Sequence, residues 1–309
     1  MKGNRHTTTS RSTSLRAGLA ALVSACIVTV ASAPPAHAQD AAALRGRHAA
    51  LREGLVSNAF GRPLVLNSSE ASGLFRGEVY AVVAQPFGVV GPALQGMDQW
   101  CDVLMLHLNV KTCRGQGDGA ASTLSLAVGR KFDQPLGEAY QIDFSYHVVA
   151  SDAGYLQVAL TAAAGPLHTK NYRIGFEATA IDATTTFVHL SYAYAYGMAA
   201  RIAMAAYLAT IGHDKVGFSI VGHGRNGEPV YLSGMRGTVE RNTMRYFLAV
   251  EAYLGALALP VAQRPEQRLR DWFDAIERYP RQLHELTRED YLAMKHREFA
   301  QRKALAETP

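Results

Sequence analysis

Between Tyr140 and Tyr196 the chain keeps a two-residue beat of apolar and polar positions, which leaves few folds open to it. Tyr140, Ile142, Phe144, Tyr146 and Val148 alternate with Gln141, Asp143, Ser145 and His147, the pattern of a strand with one buried face. Residues 155–160 and 172–176, separated by Gly165-Pro166, continue an antiparallel meander on which Asp143 and Glu177 are expected on neighbouring strands. Residues 187–196 add a longer strand with Tyr192, Tyr194 and Tyr196 on one face. Three tyrosines in register offer aromatic surface with hydroxyl tips, suited to a core edge or to an amphipathic ligand.

Upstream, Val79, Tyr80, Val82 and Val83 form a β-rich run that stops at Gln85-Pro86, after which residues 87–94 suit a short helix opened by proline. Leu124, Leu126 and Val128 alternate as another strand, residues 41–55 read as a short helix, and Asn67-Ser68-Ser69 reads as a loop. Downstream, residues 198–211 predict a buried, alanine-rich helix ended by Gly212, and residues 215–221 and 229–235 a hairpin turning at Asn226-Gly227. On a helix over 238–257, Thr243, Tyr246, Phe247, Val250, Leu254 and Leu257 fall within an arc of about 100°, so it lies across a sheet. Met244 and Leu248 point the other way, so its back is covered too. Trp272, Phe273, Ile276, Tyr279, Leu283 and Leu286 recur at near-helical spacing, broken at Pro280, and predict a tail that packs on the body.

The first 38 residues have a different character. Lys2, Arg5, Arg11 and Arg16 precede an apolar stretch from Ala17 to Ala33, followed by Pro34-Pro35 and Ala36-His37-Ala38. This is the layout of a secretory leader cleaved near Ala38, and it predicts a periplasmic or secreted protein. The stretch is marginal for a membrane span, which needs about 20 apolar residues, and no second run of that length follows. The mature chain is therefore expected to have no transmembrane segment, with peripheral membrane contact left open. Cleavage removes four cations and no acid, so the formal net charge falls from +5 to +1, without the basic footprint of a nucleic-acid binder. Cys26 leaves with the leader, and Cys101 and Cys113 remain as a pair predicted to be bonded, in the absence of any Cys-x-x-Cys redox motif.

The common catalytic signatures are missing: Gly-x-Ser-x-Gly, His-Glu-x-x-His, the phosphate loop ending in Gly-Lys-Ser/Thr, and Gly-x-Gly-x-x-Gly. His107, His147, His168, His189, His213 and His223 are scattered without metal-ligand spacing, so neither a metal nor a cofactor is expected. Glu240, Arg241, Asn242 and Arg245 form the densest polar cluster. Arg241 and Arg245, one turn apart, could clamp an anionic head group, or they face solvent or pair locally.

Glu78-Val79-Tyr80-Ala81-Val82-Val83, then Pro86-Phe87 opening a helix, then Asp98-Gln99-Trp100 leading into the next strand, followed by the meander and a late amphipathic helix, resembles the START-like (helix-grip) superfamily. The resemblance implies an α+β fold in which a curved antiparallel sheet grips a long helix in the C-terminal half, here with extra helices at both ends. It divides the chain into a leader (1–38), a helical and loop segment (39–73), the START-like domain (74–259) and a helical C-terminal extension (260–309). It also implies a cavity for a lipid or other hydrophobic small molecule. Trp100, Tyr192, Tyr194, Tyr196, Tyr246 and Phe247 are the candidate lining residues, with Arg241 or Arg245 near the mouth. The leading expectation is an exported binding or carrier protein rather than an enzyme. A cyclase-like or hydrolytic cavity enzyme and an envelope protein docking through its C-terminal helices are the alternatives.

Overall fold

The computed structural model describes residues 36–197 and 215–307; most of the leader expected at 1–38 and the helix expected at 198–211 lie outside the described residues. In chain order the elements are α1 (Ala36–Ala50), α2 (Arg52–Val56), β1 (Leu64–Ala71), β2 (Leu74–Val83), α3 (Phe87–Ala93), α4 (Met97–Leu104), β3 (Val110–Gln116), β4 (Thr123–Val128), β5 (Tyr140–Ser151), β6 (Tyr155–Ala164), β7 (Thr169–Ala180) and β8 (Thr186–Tyr196). A small hairpin of β9 (Ile220–His223) and β10 (Pro229–Tyr231) precedes α5 (Gly234–Gly255), α6 (Arg264–Glu277), α7 (Pro280–Leu283) and α8 (Arg288–Glu307).

The first eight strands make one curved antiparallel sheet in the order β1-β2-β8-β7-β6-β5-β4-β3. The alternation from Tyr140 onward becomes β5 to β8, with Ile142, Phe144 and Tyr146 buried and their odd-numbered neighbours exposed. A bulge follows between Val148 and Ala150; Val148 before it is exposed, and Ala150 after it is buried in the cluster with Tyr80, Tyr155 and Phe187. Because β6 runs between β5 and β7, Asp143 and Glu177 are not on neighbouring strands, contrary to expectation.

Three local expectations are corrected. Asn67, Ser68 and Ser69 are not a loop: they lie in β1, paired with β2 through a two-residue turn in which Ser72 and Gly73 have φ of 51° and 74°. The polar run hid the strand because β1 lies at the sheet edge, where only Leu64 and Leu66 reach the core. Asp98-Gln99-Trp100 does not lead into a strand but forms α4, whose Trp100, Cys101, Val103 and Leu104 share the buried side. In the hairpin, β9 runs on through Gly222 and His223, past the expected end at residue 221, while both outer ends are shorter than expected.

The concave face grips α5, whose Val239, Phe247, Val250 and Leu254 are buried in the main core. Gly77 permits the close approach of β2, because a Cβ there would collide with Thr243 Oγ1. The back of α5 is covered by α6, where the indole nitrogen of buried Trp272 donates to the Arg245 carbonyl at 3.0 Å. The tail is also pinned by buried charge. Lys295 Nζ donates to the carbonyls of His107 (2.7 Å) and Val110 (2.9 Å), and Glu298 bridges Lys295 (2.7 Å) to Lys111 (2.9 Å). Burial pulls the Lys295 ammonium down to about 8 despite Glu298. Cys101 and Cys113 are bonded, tying α4 to β3. On the convex face, Ala41 and Leu44 of α1 cluster with Tyr80, Tyr155 and Phe187.

Candidate functional site

Two-residue periodicity on β8 sends Tyr192, Tyr194 and Tyr196 to the concave side, toward α5. With Tyr172 from β7 and Tyr246 from α5 they line a pocket of about 250 Å³. Tyr194 stacks on Tyr172 (centroids 5.4 Å apart) and meets Tyr196 edge-on (5.0 Å), while Tyr192 leans against Tyr246 (5.3 Å). Tyr196 OH donates to Tyr194 OH at 3.0 Å, and Tyr172 OH shares a 2.7 Å hydrogen bond with Thr169. Burial pushes all five phenols above their ordinary range, so they stay neutral.

His107, in the turn before β3, completes the wall. Its ring lies 4.6 Å from that of Tyr246 at an interplanar angle of 25°. The Asn109 backbone N–H donates to Nδ1 at 3.1 Å, which places the ring proton on Nε2. Nε2 has no hydrogen-bond partner among the described residues, although the residue is only 2% exposed. Burial first, then the charges of Arg245, Lys295, Lys131 and Lys111, hold this histidine well below its usual value and neutral. The β6–β7 turn rims the pocket with Leu167, whose φ is 55°; His168 beside it is at 60°. Such left-handed non-glycine residues cost of order 1–3 kcal/mol each and gather at ligand clamps.

The other candidates sit elsewhere. Phe247 is fully buried beneath the Arg62 guanidinium rather than in the pocket, since adjacent helix positions point about 100° apart and Tyr246 takes the pocket side. Trp100 is core: its indole N–H donates to the Leu94 carbonyl at 2.7 Å and its ring meets Phe176 edge-on. Arg241 and Arg245 are buried behind Thr238 and Asn242, which do line the pocket, so the solvent-facing alternative is corrected. Arg241 donates to the Val216 carbonyl (3.2 Å) and Thr238 (3.1 Å). Arg245 pairs with Glu285 (2.8 Å), which also holds Lys131 (2.5 Å) and Lys215 (3.3 Å). Sequence reasoning weighed His107 only as one scattered histidine. Its place inside Leu104-Met105-Leu106-His107-Leu108 was the available signal of a buried neutral ring.

A second polar cluster occupies the convex face. His189 lies between Glu177 (Nδ1, 2.7 Å) and Glu78 (Nε2, 3.1 Å), with Tyr80 stacked on it at 4.2 Å and Tyr155 OH donating to Glu177 at 2.6 Å. Burial opposes the charged ring, but the two carboxylates outweigh it and raise His189 above its usual value. The His189 hydrogen bond, against burial and with help from Arg76, holds Glu78 down at about 2. Burial is also the largest influence on Glu177, yet bonds from His189 and Tyr155 hold it below the ordinary range. Arg47 and His48 of α1 cover this patch, over Tyr80 and against Phe187, which makes it an anchor for α1.

Larger depressions, of about 690 Å³ beside Arg76 and Arg173, about 620 Å³ beside Tyr140 and Lys170, about 390 Å³ between β3 and α8 and about 320 Å³ beside Tyr146, have no lining residue on α5 among the described residues. Among the described residues no group of three or more His, Cys, Asp and Glu side chains could hold a metal ion, and no helix is long and apolar enough to cross a membrane.

The chain matches no protein-family model and no curated protein. Among solved structures it is similar to a START superfamily protein from Mycobacterium smegmatis (13% identity, 40% of this chain and 78% of that one, TM-score 0.30). It is likewise similar to the Zhui aromatase/cyclase from Streptomyces sp. R1128 (13%, 66% and 95%, 0.30) and to Ara h 8.0201 (10%, 60% and 99%, 0.35). The strand order β2-β8-β7-β6-β5-β4-β3, the two short helices between β2 and β3, and α5 lying in the concavity together make an α+β helix-grip arrangement.

Proposed function

We propose that this protein binds a small ring-bearing hydrophobic molecule in the tyrosine pocket and serves as an exported binding or carrier protein. The observation that carries the reading is the convergence of five tyrosines and His107 on one space between sheet and helix. Small-molecule pockets commonly run from about 300 to 1,000 Å³, so a space of about 250 Å³ suits one or two fused rings. A lipid would fit there only by its ring or head, with its chain outside. The leader-like first 38 residues and the Cys101–Cys113 disulfide support export, since such bonds persist in oxidising compartments.

Native mass spectrometry of the protein purified from its own periplasm, followed by extraction of the bound fraction, tests this reading. A co-purifying small hydrophobic compound supports it. An unliganded mass, together with no thermal shift from a panel of one- and two-ring aromatics, would sink it.

The enzyme alternative gains His107 inside the pocket. A general acid or base works best with its pKa near the operating pH, however, and His107 is driven well below that range with no carboxylate among the described lining residues. Docking through the C-terminal helices is not favoured either, because Trp272, Tyr291 and Lys295 are spent on the core.

A further inference from the structure

The tyrosine pocket does not end at its own rim. The depression of about 620 Å³ beside Tyr140 and Lys170 shares Leu167 and Thr169 with it, so the two spaces meet across the β6–β7 turn. That turn is fixed to the pocket wall. Gly165 lies so close to the Tyr172 ring that a Cβ there would collide with it, and Thr169 gives its hydroxyl proton to the Pro166 carbonyl while taking that of Tyr172 at 2.7 Å. Leu167, held in left-handed backbone at the seam, is 62% exposed, and Tyr140 in the outer depression is 45% exposed. With Ala163 and Ala164 they make an open apolar surface at the mouth of a pocket, the kind of patch that marks a binding site. The described lining of this depression carries one lysine, Lys170, and no carboxylate.

Resting on the binding reading above, we propose that this depression is the outer half of the ligand site, and that the ligand is a ring carrying a flexible apolar chain with an anionic end. The ring fills the space among Tyr172, Tyr192 and Tyr246, the chain crosses Leu167 and lies along Ala164 and Tyr140, and the anion meets Lys170. Size sets this division. One or two fused rings fill a space of about 250 Å³, so a chain attached to them must leave it, and the outer depression offers apolar surface directly at the mouth. Covering Leu167 and Tyr140 removes apolar area from water, which favours binding in proportion to the area covered. Charge sets the end group: an anion there faces Lys170 and no acid, whereas a cation would face like charge.

The test is equilibrium dialysis of the full mature protein against 2-ethylnaphthalene, 6-(2-naphthyl)hexanoate and 6-(2-naphthyl)hexanamide. The wild type is expected to bind both chain-bearing probes at least about tenfold more tightly than 2-ethylnaphthalene. It should bind the acid about two- to fivefold more tightly than the amide, a margin that shrinks in high salt. Tyr140→Ser should weaken both chain-bearing probes and leave 2-ethylnaphthalene unchanged, and Lys170→Gln should erase only the difference between acid and amide. Should either variant fail to fold, the backbone amide shifts of Ala163, Ala164 and Lys170 in the wild type decide the matter, since these residues line the depression and not the pocket: they must move with the hexanoate and stay put with 2-ethylnaphthalene. Equal binding of all three probes, chain-bearing probes indifferent to Tyr140→Ser, or an acid preference that survives in Lys170→Gln overturns the outer site and leaves the pocket reading standing. Failure of every probe to bind overturns outer site and pocket together.

Discussion

At His189 and His107 the same side chain is pushed in opposite directions, and stability should record both. His189 is raised in the fold, so its contribution is complete below the unfolded value near 6.5 and fades as pH climbs through the folded one. Glu78, held down at about 2, contributes above its unfolded value near 4.5 and loses that contribution as pH falls toward about 2. The melting-temperature gap between wild type and His189→Gln should therefore be widest from about pH 4.5 to 6.5 and shrink on both sides; a gap constant from pH 3 to 9 would deny the charged cluster. His107 is neutral in the fold and its folded value is lowered, so the native state loses stability as pH falls below about 6.5, where the unfolded chain gains the proton. His107→Phe should flatten that acid-side loss, measured by the same melts. Neither histidine was readable as special from its spacing. Tyr192, Tyr194 and Tyr196 were, because period 2 alone fixes their common face. His107 needed a turn to bring it beneath Tyr246, and His189 needed the register that sets it opposite Tyr80 and Glu177.

Among the elements, those with strong periodicity or a backbone-fixing residue were legible in the sequence. The meander, the helix opened after Pro86 and the long α5 all follow from such signals. β1 was not, because an edge strand needs no alternation once β2 supplies its hydrogen bonds. The α4–β3 staple closes a separation of 12 residues, for which loop entropy gives about 3 kcal/mol. Replacing both cysteines by serine should lower the urea midpoint by a corresponding amount, with a slope equal to or slightly steeper than the wild type's as the unfolded chain expands. The tail is less forgiving. Lys295→Ala removes the ammonium donor from the Val110 carbonyl, leaves the His107 carbonyl with only the Val110 N–H, and leaves Glu298 with only Lys111, a loss expected at about 3–5 kcal/mol in the same denaturation experiment.

For the molecule as a whole, α5 on one face and α1 on the other clamp the same part of the sheet. β8 lies between them. From Thr186 to Tyr194 every residue but Ser191 is buried, so both its inward and its outward side chains are shut away from solvent. Its neighbours β2 and β7 occupy both of its backbone edges along that length. No local opening of one helix can therefore bare these amides. In deuterated solvent the strand should exchange last, at the rate of global unfolding, while β1 and the β9–β10 hairpin exchange through small fluctuations far sooner. The tyrosines that face the pocket are thus carried on the part of the molecule least able to move, and a ligand entering there meets a wall already set in place.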